Sequence, residues 1–309
     1  MSLIEKALLK VQSGDLVKVQ SRNDIVTVRT GNESIASKEV ENKATDSPVK
    51  LSLDALPMVE IDKEKLKALG MLAQGDQERV ATRQLREIKR SLLGKLNQLE
   101  SEQHQSLQKV VMLTSALPGD GKTFTTLNLA LNLALEKDIT VILVDGDVAK
   151  PHISTLLNCT DSRGLLDFVS DASVGLKDII YKTNVPRLYF IPAGEKTEQA
   201  NELMSGSRMK EVLSQLASIQ KKCLIVFDTS PVLLTSESKV MLSYSDFVIL
   251  MIKAGMTPKI AVVDSMKILN EMSVKFGVVL NDVKTNVFTS YGYGYVYGYG
   301  SNGSQGSGD

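Results

Sequence analysis

A short turn, Pro118-Gly119-Asp120-Gly121-Lys122-Thr123, constrains what this chain can fold into more than any other stretch. Before it stands Val110–Leu113, an apolar, β-branched run of the length expected for a buried strand. After it, Phe124, Leu127, Ala130, Leu131, Ala134 and Leu135 recur at helical spacing. A strand, a glycine turn and a helix that opens on lysine and a hydroxyl form the setting in which a phosphate-binding loop carries meaning. Gly119 and Gly121 let successive backbone N–H groups converge on an anion. The helix starting near Lys122 adds its dipole and free amides at the same place. Lys122 is then expected to reach phosphate oxygens and Thr123 to offer its hydroxyl to Mg²⁺. Pro118, Gly119, Asp120, Gly121 and Phe124 complete the expected contacts to ATP. Ala116 stands where the first glycine of the pattern is expected, and a plain turn between a core strand and a core helix is the competing reading.

The rest of the chain repeats the strand–helix alternation. Strands are expected at Ile139–Val144, Leu188–Ile191, Cys223–Phe227, Phe247–Ile252 and Phe276–Leu280. Short helices are expected within 163–181, and longer ones over Asp76–Leu99, Ser207–Ile219 and Pro258–Met272. This order predicts an α/β fold with a doubly wound, mostly parallel sheet covered by helices on both faces. In such sheets ligands sit beyond the carboxyl ends of the strands. Two strands end there in acid. Ile139–Val144 runs into Asp145-Gly146-Asp147, and Cys223–Phe227 into Asp228. Beside a nucleotide these carboxylates can hold Mg²⁺, directly or through water, and accept a proton from a nucleophile. Asn281, at the end of the last strand, is read either as an adenine contact or as an ordinary turn asparagine.

Composition narrows the partners and the chemistry. A formal net charge of +0 gives no whole-protein pull toward nucleic acid or membrane. His104 and His152 are the only histidines, which disfavours a histidine metal site or a Ser-His triad. Cys159 and Cys223 are separated and lack metal-ligand spacing, and the start shows no signal-peptide pattern, so a reducing cytoplasm is expected.

Three domains are expected: 1–75, a short helix and a flexible linker; 76–286, the phosphate-loop domain; and 287–309, a tail. Residues 2–12 fit a small amphipathic helix, for packing or for docking on a membrane partner. Residues 29–57 are polar and aperiodic, as linkers are. On the helix from Asp76, the face carrying Arg79, Arg83, Arg86, Lys89 and Arg90 is read as solvated, or as a contact with another subunit or an acidic partner. The tail reads YGYGYVYGYG over 291–300. Its tyrosines, Tyr291, Tyr293, Tyr295, Tyr297 and Tyr299, form either a low-complexity aromatic segment or a cluster of phosphate acceptors.

Together these parts resemble the bacterial tyrosine autokinases of exopolysaccharide and capsule synthesis. SALPGDGKT at 115–123, VILVDGDVAKP at 141–151, LIVFDTSP at 224–231 and the tyrosine-rich end carry the likeness. MSLIEKAL at the start and REIKRSLL at 86–93 look most like the stand-alone cytoplasmic type encoded with exopolysaccharide and exosortase loci. The resemblance implies that Lys122 and Thr123 bind phosphates and Mg²⁺. Asp145 would contact the metal and activate the tyrosine hydroxyl, with Asp147 and Asp228 completing the metal and water shell. It also implies a homo-oligomer that phosphorylates its tails in trans, seated at the inner membrane through a chain-length regulator embedded there. A low-molecular-weight tyrosine phosphatase would reset the cycle. Four positions depart from the relatives' patterns. Leu117 replaces the lysine of the related partition and division-positioning ATPases, and Ala149 replaces an arginine. Arg83 replaces the glutamate of a Glu-x-x-Arg-x-x-Arg subunit-contact helix, leaving Arg86 and Lys89. Thr229-Ser230-Pro231 replaces a commoner Thr-Pro-Pro or Ser-Pro-Pro. An ATP-switched scaffold ATPase that phosphorylates no protein is the alternative reading, with an inactive regulatory paralogue as a third.

Overall fold

The computed structural model describes residues 25–27, 55–103, 108–220 and 222–283. The expected helix over 2–12 and the tail tyrosines lie outside them.

Among the described residues, apolar runs with few polar interruptions build a nine-stranded sheet of order β1-β9-β8-β3-β7-β4-β6-β5-β2. Its centre is parallel: β9 (Phe276–Asn281), β8 (Phe247–Lys253), β3 (Gln108–Ser115), β7 (Cys223–Asp228), β4 (Thr140–Asp145) and β6 (Leu188–Ile191). Antiparallel pairs close both sides, β1 (Ile25–Thr27) on β9 and β5 (Tyr181–Thr183) on β6. A two-residue β2 (Met58–Val59) lies parallel to β5.

Strand side chains alternate between two cores, as the pleat requires. Met112, Ile142, Val144, Ile225 and Phe227 pack on one face. Val111, Leu113, Val141, Leu143, Leu224 and Val226 pack on the other, under α2 (Asp76–Gln103) and α3 (Lys122–Leu133). The first core is covered by α5 (Leu165–Ser170), α7 (Ala200–Ser205), α8 (Ser207–Ser218) and α9 (Ser236–Leu242). Three further helices are α1 (Lys63–Ala68), α4 (His152–Leu156) and α6 (Leu176–Ile179), and α10 (Lys259–Glu271) joins β8 to β9. From β3 the chain crosses over β7 to β4, while β8 lies on the other side of β3. Strand order therefore reverses at β3, and the crevice at its carboxyl end is where such sheets bind ligands.

Two expectations change. The boundary expected at Asp76 cuts through the folded unit, because residues 55–75 belong to it. Leu56, Val59, Ile61 and Leu66 are buried, the Lys182 N–H donates to the Pro57 carbonyl (2.8 Å), and the Ile61 N–H donates to Asn184 Oδ1 (3.0 Å). A two-residue strand and a six-residue helix are too short to show a period, so nothing separated this stretch from the linker before it. Lys89, grouped with the subunit-contact face, is held inside the chain instead. Its Nζ pairs with Glu136 Oε1 at 2.6 Å and donates to the Asn132 carbonyl. Among the described residues, no helix is long and apolar enough to cross a membrane.

Candidate nucleotide and phosphoryl-transfer site

The loop from Ala116 to Gly121 joins β3 to α3 at the carboxyl edge of the sheet. Gly119 (φ 84°) and Gly121 (φ 94°) both take the left-handed conformation that glycine permits. A Cβ at Gly121 would also collide with the Asn281 side-chain amide. Ala116, in the place of the first glycine, is fully buried. No side chain caps α3, so the amides of its first turn are left for an anion. Pro118 and Gly119 are exposed, and Thr123 and Phe124 are half-buried.

Asp120, expected at the nucleotide, and Asn281, read as an adenine contact or a turn asparagine, brace the loop. Asp120 Oδ2 accepts from the Leu117 N–H (2.9 Å) and Oδ1 from Thr257 Oγ1 (2.7 Å). Its backbone carbonyl accepts from Asn281 Nδ2 at 3.0 Å. The Asp120 carboxylate is thus committed to loop shape, and what it leaves for phosphate is backbone.

Lys122, Asp145, Asp147 and Asp228 are brought together, all buried. Asp145 and Asp228 end the adjacent parallel strands β4 and β7 and pair in register. Gly146 lets the chain turn tightly there. Its N–H donates to the Asp228 carbonyl (2.7 Å), and a Cβ would come within 3.0 Å of that same oxygen. Lys122 Nζ meets Asp147 Oδ2 at 2.8 Å. Asp147 Oδ1 accepts from Ser230 Oγ and from the Lys150 N–H. Both oxygens of Asp228 are taken by hydroxyls, Oδ2 by Thr123 (2.7 Å) and Oδ1 by Thr126 (2.9 Å). Asp145 Oδ2 accepts from the Ser154 N–H (2.7 Å) and Ser154 Oγ (2.8 Å), while Oδ1 is buried without a hydrogen-bond partner among the described residues.

Charge crowding shapes the titration. Burial, then repulsion from Asp228, pushes the Asp145 carboxyl up to about 7 against the opposing donors of Ser154. Burial also raises Asp228, with Lys122 pulling the other way. For Lys122, burial acts to lower the pKa, but attraction to Asp228 and then Asp147 outweighs it and holds the ammonium above its ordinary value.

The donor set fits Mg²⁺. Asp145 Oδ1 is an orphaned oxygen, Thr123 supplies a hydroxyl, and Asp228 holds that hydroxyl in place. No group of three or more His, Cys, Asp or Glu among the described residues is arranged to hold a metal. Mg²⁺ characteristically takes one or two carboxylates, keeps waters and shares substrate phosphates, so a closed cage is not required.

Sequence reasoning missed Thr126, Ser154 and Thr257. Thr126 was findable, since it sits one turn from Thr123 on the same helix face. Ser154 and Thr257 carry no local signal. Ser230 was noted only as a departure from the usual prolines, yet its hydroxyl joins the two acidic motifs.

A family model described as an AAA domain matches residues 108–275. Tyrosine-protein kinase CpsD of Streptococcus agalactiae is 29% identical over 183 residues, which cover 59% of this chain and 78% of that relative. Tyrosine-protein kinase YwqD of Bacillus subtilis is 28% identical over 207 residues, 63% of this chain and 86% of the relative. Among solved structures, the VpsO kinase domain is 34% identical with a TM-score of 0.52, covering 57% of this chain and 86% of that one. The kinase domain of the Escherichia coli tyrosine kinase ETK is 27% identical with a TM-score of 0.53, covering 61% and 73%.

Proposed function

Because this chain belongs to the AAA-domain family, we propose that its site is that of a bacterial protein-tyrosine autokinase of exopolysaccharide or capsule synthesis. The observation that carries the reading is the convergence of Lys122, Thr123, Asp145, Asp147 and Asp228 on one phosphate-loop helix and two strand ends. Similarity to curated tyrosine-protein kinases adds the acceptor chemistry.

The loop amides and the start of α3 bind the triphosphate of ATP. Lys122 leaves Asp147 and turns to the phosphate oxygens, exchanging one anionic partner for another. Thr123 and Asp145 Oδ1 are the groups that would hold Mg²⁺, with Asp228 fixing the Thr123 hydroxyl. When bound, the ion supplies charge neutralisation on the phosphates. A tail tyrosine, with a free pKa near 10, approaches the γ-phosphate in line and gives its proton to the Asp145 carboxylate as the O–P bond forms. ADP departs with the electron pair of the broken bond. Catalysis consists mostly of positioning.

The finer reading places the acceptors at Tyr291, Tyr293, Tyr295, Tyr297 and Tyr299, delivered in trans within a homo-oligomer. Each phosphate adds roughly −1.5 to −2 charge, so filled tails repel and loosen the assembly. A membrane-embedded chain-length regulator and a low-molecular-weight tyrosine phosphatase are the proposed partners, at the cytoplasmic side of the membrane. Substitution Lys122→Met is expected to abolish phosphotyrosine on the purified protein, measured by mass spectrometry. Phosphotyrosine persisting in a host free of other tyrosine kinases would sink the site assignment.

A further inference from the structure

Ser154 treats the two oxygens of Asp145 unequally. It lies in α4, directly after the acidic motif, and is itself buried (1% exposed). Both its donors, backbone N–H at 2.7 Å and Oγ at 2.8 Å, converge on Asp145 Oδ2. The hydroxyl in turn accepts from the Ala193 N–H (3.1 Å), just past the end of β6, and the Ser154 carbonyl accepts from the Cys159 N–H (2.7 Å). Ser154 is therefore fastened on the side away from Asp145 as well, and cannot follow the carboxylate if it rotates. A carboxylate is planar, so fixing Oδ2 also fixes the direction of Oδ1, the oxygen left without a partner. Asp145 stands in register with Asp228, a like charge. Without an anchor, repulsion and rotamer entropy both favour other orientations.

We propose that Ser154 is a positioning residue, holding Asp145 so that Oδ1 is presented to the nucleotide-bound cation. The inference rests on the reading of Asp145 as a cation-facing carboxylate. Outer-shell hydrogen bonds of this kind set the orientation of a ligating side chain, and their loss costs about 10–100-fold in metal affinity or activity. A role confined to tying α4 to the sheet is the competing account, and it makes a different prediction. It requires damage that is independent of both metal and Asp145.

The test is the affinity of the full-length protein for ADP, by calorimetry, with Mg²⁺ and with EDTA. The ratio of the two affinities is the Mg²⁺ enhancement. Ser154→Ala is expected to reduce the enhancement about tenfold while leaving the affinity in EDTA unchanged, and Ser154→Thr, which keeps the hydroxyl, to restore most of it. In an Asp145→Asn background, Ser154→Ala should cause no further loss, because it acts through that carboxylate. Should the alanine variant not fold, Ser154→Cys, a weaker donor of similar size, serves in the same comparison. If Asp145→Asn removes the enhancement and the Ser154 variants retain it, the positioning role is overturned while the metal-facing role of Asp145 stands. Equal loss from Ser154→Ala in both backgrounds, or loss in EDTA as well, also overturns it in favour of a structural tie. If Asp145→Asn itself keeps the enhancement, the reading of Asp145 fails and takes the inference with it.

Discussion

Lys122 sits against a buried carboxylate, and substitution exposes what that contact contributes. It neutralises Asp147 within a buried group that also contains Asp145 and Asp228. Lys122→Met removes the cation and leaves Asp147 facing like charges, and breaking one partner of a buried pair typically costs about 3–5 kcal/mol. The variant is expected to unfold at lower denaturant concentration, and Lys122→Met with Asp147→Asn to recover most of the loss. If the single variant matches the unsubstituted protein in urea titrations, the pair is not stabilising. Asp145 carries the opposite sign. Its carboxyl sits at about 7 in the fold against an ordinary 3.8, so the folded state holds a proton that the unfolded chain has already released. Its contribution is therefore full below 3.8, is lost as pH rises from there through 7, and levels off above. Nucleotide-free protein should lose about 2 kcal/mol from this group between pH 5.5 and 7.5. Asp145→Asn should flatten that slope, and an unchanged slope in thermal unfolding would exclude Asp145 as its source.

At the scale of elements, what could be read from the sequence followed the length of each signal. Strands β3, β4, β6, β7, β8 and β9 each hold an unbroken apolar run, and all were expected at the observed places to within two residues at either end. The phosphate-loop helix was visible because glycine, lysine and threonine mark its start. Several short elements were not, namely β2, with two residues, and α7 and α9, with six and seven, although the equally short α5 and α6 fall where short helices were expected. The same limit hid the N-terminal part of the domain. Leu66, on the six-residue helix α1, is 1% exposed and belongs to the core that contains Leu92, Leu96 and Leu127. Leu66→Ala should therefore destabilise the domain by about 2–5 kcal/mol, whereas a change in a true linker would be neutral. Chemical denaturation separates the two. Within the site, acids at strand ends were legible because polarity there is abrupt. The hydroxyls that hold them, Thr126, Ser154 and Ser230, come from separate elements and meet only in the folded sheet.

For the whole molecule, topology unites the phosphate loop, the acids and the end of β9 at one edge. The carboxyl ends of β3, β4 and β7 carry the phosphate loop and the acids, and β9 ends at Asn281 with its amide on the loop. A domain of this architecture can equally serve as a nucleotide-driven switch, and what sets a kinase apart is where the γ-phosphate goes. The most direct measurement is the intact mass of the full-length protein and of a chain ending at Asn286, each before and after phosphatase treatment. The account predicts a ladder of phosphate additions on the full-length chain alone, collapsed by the phosphatase and absent after Lys122→Met. ATP hydrolysis with Mg²⁺ and the regulator's cytoplasmic segment present, yet with no phosphate on the full-length chain, would contradict it and point to the ATP-switched scaffold.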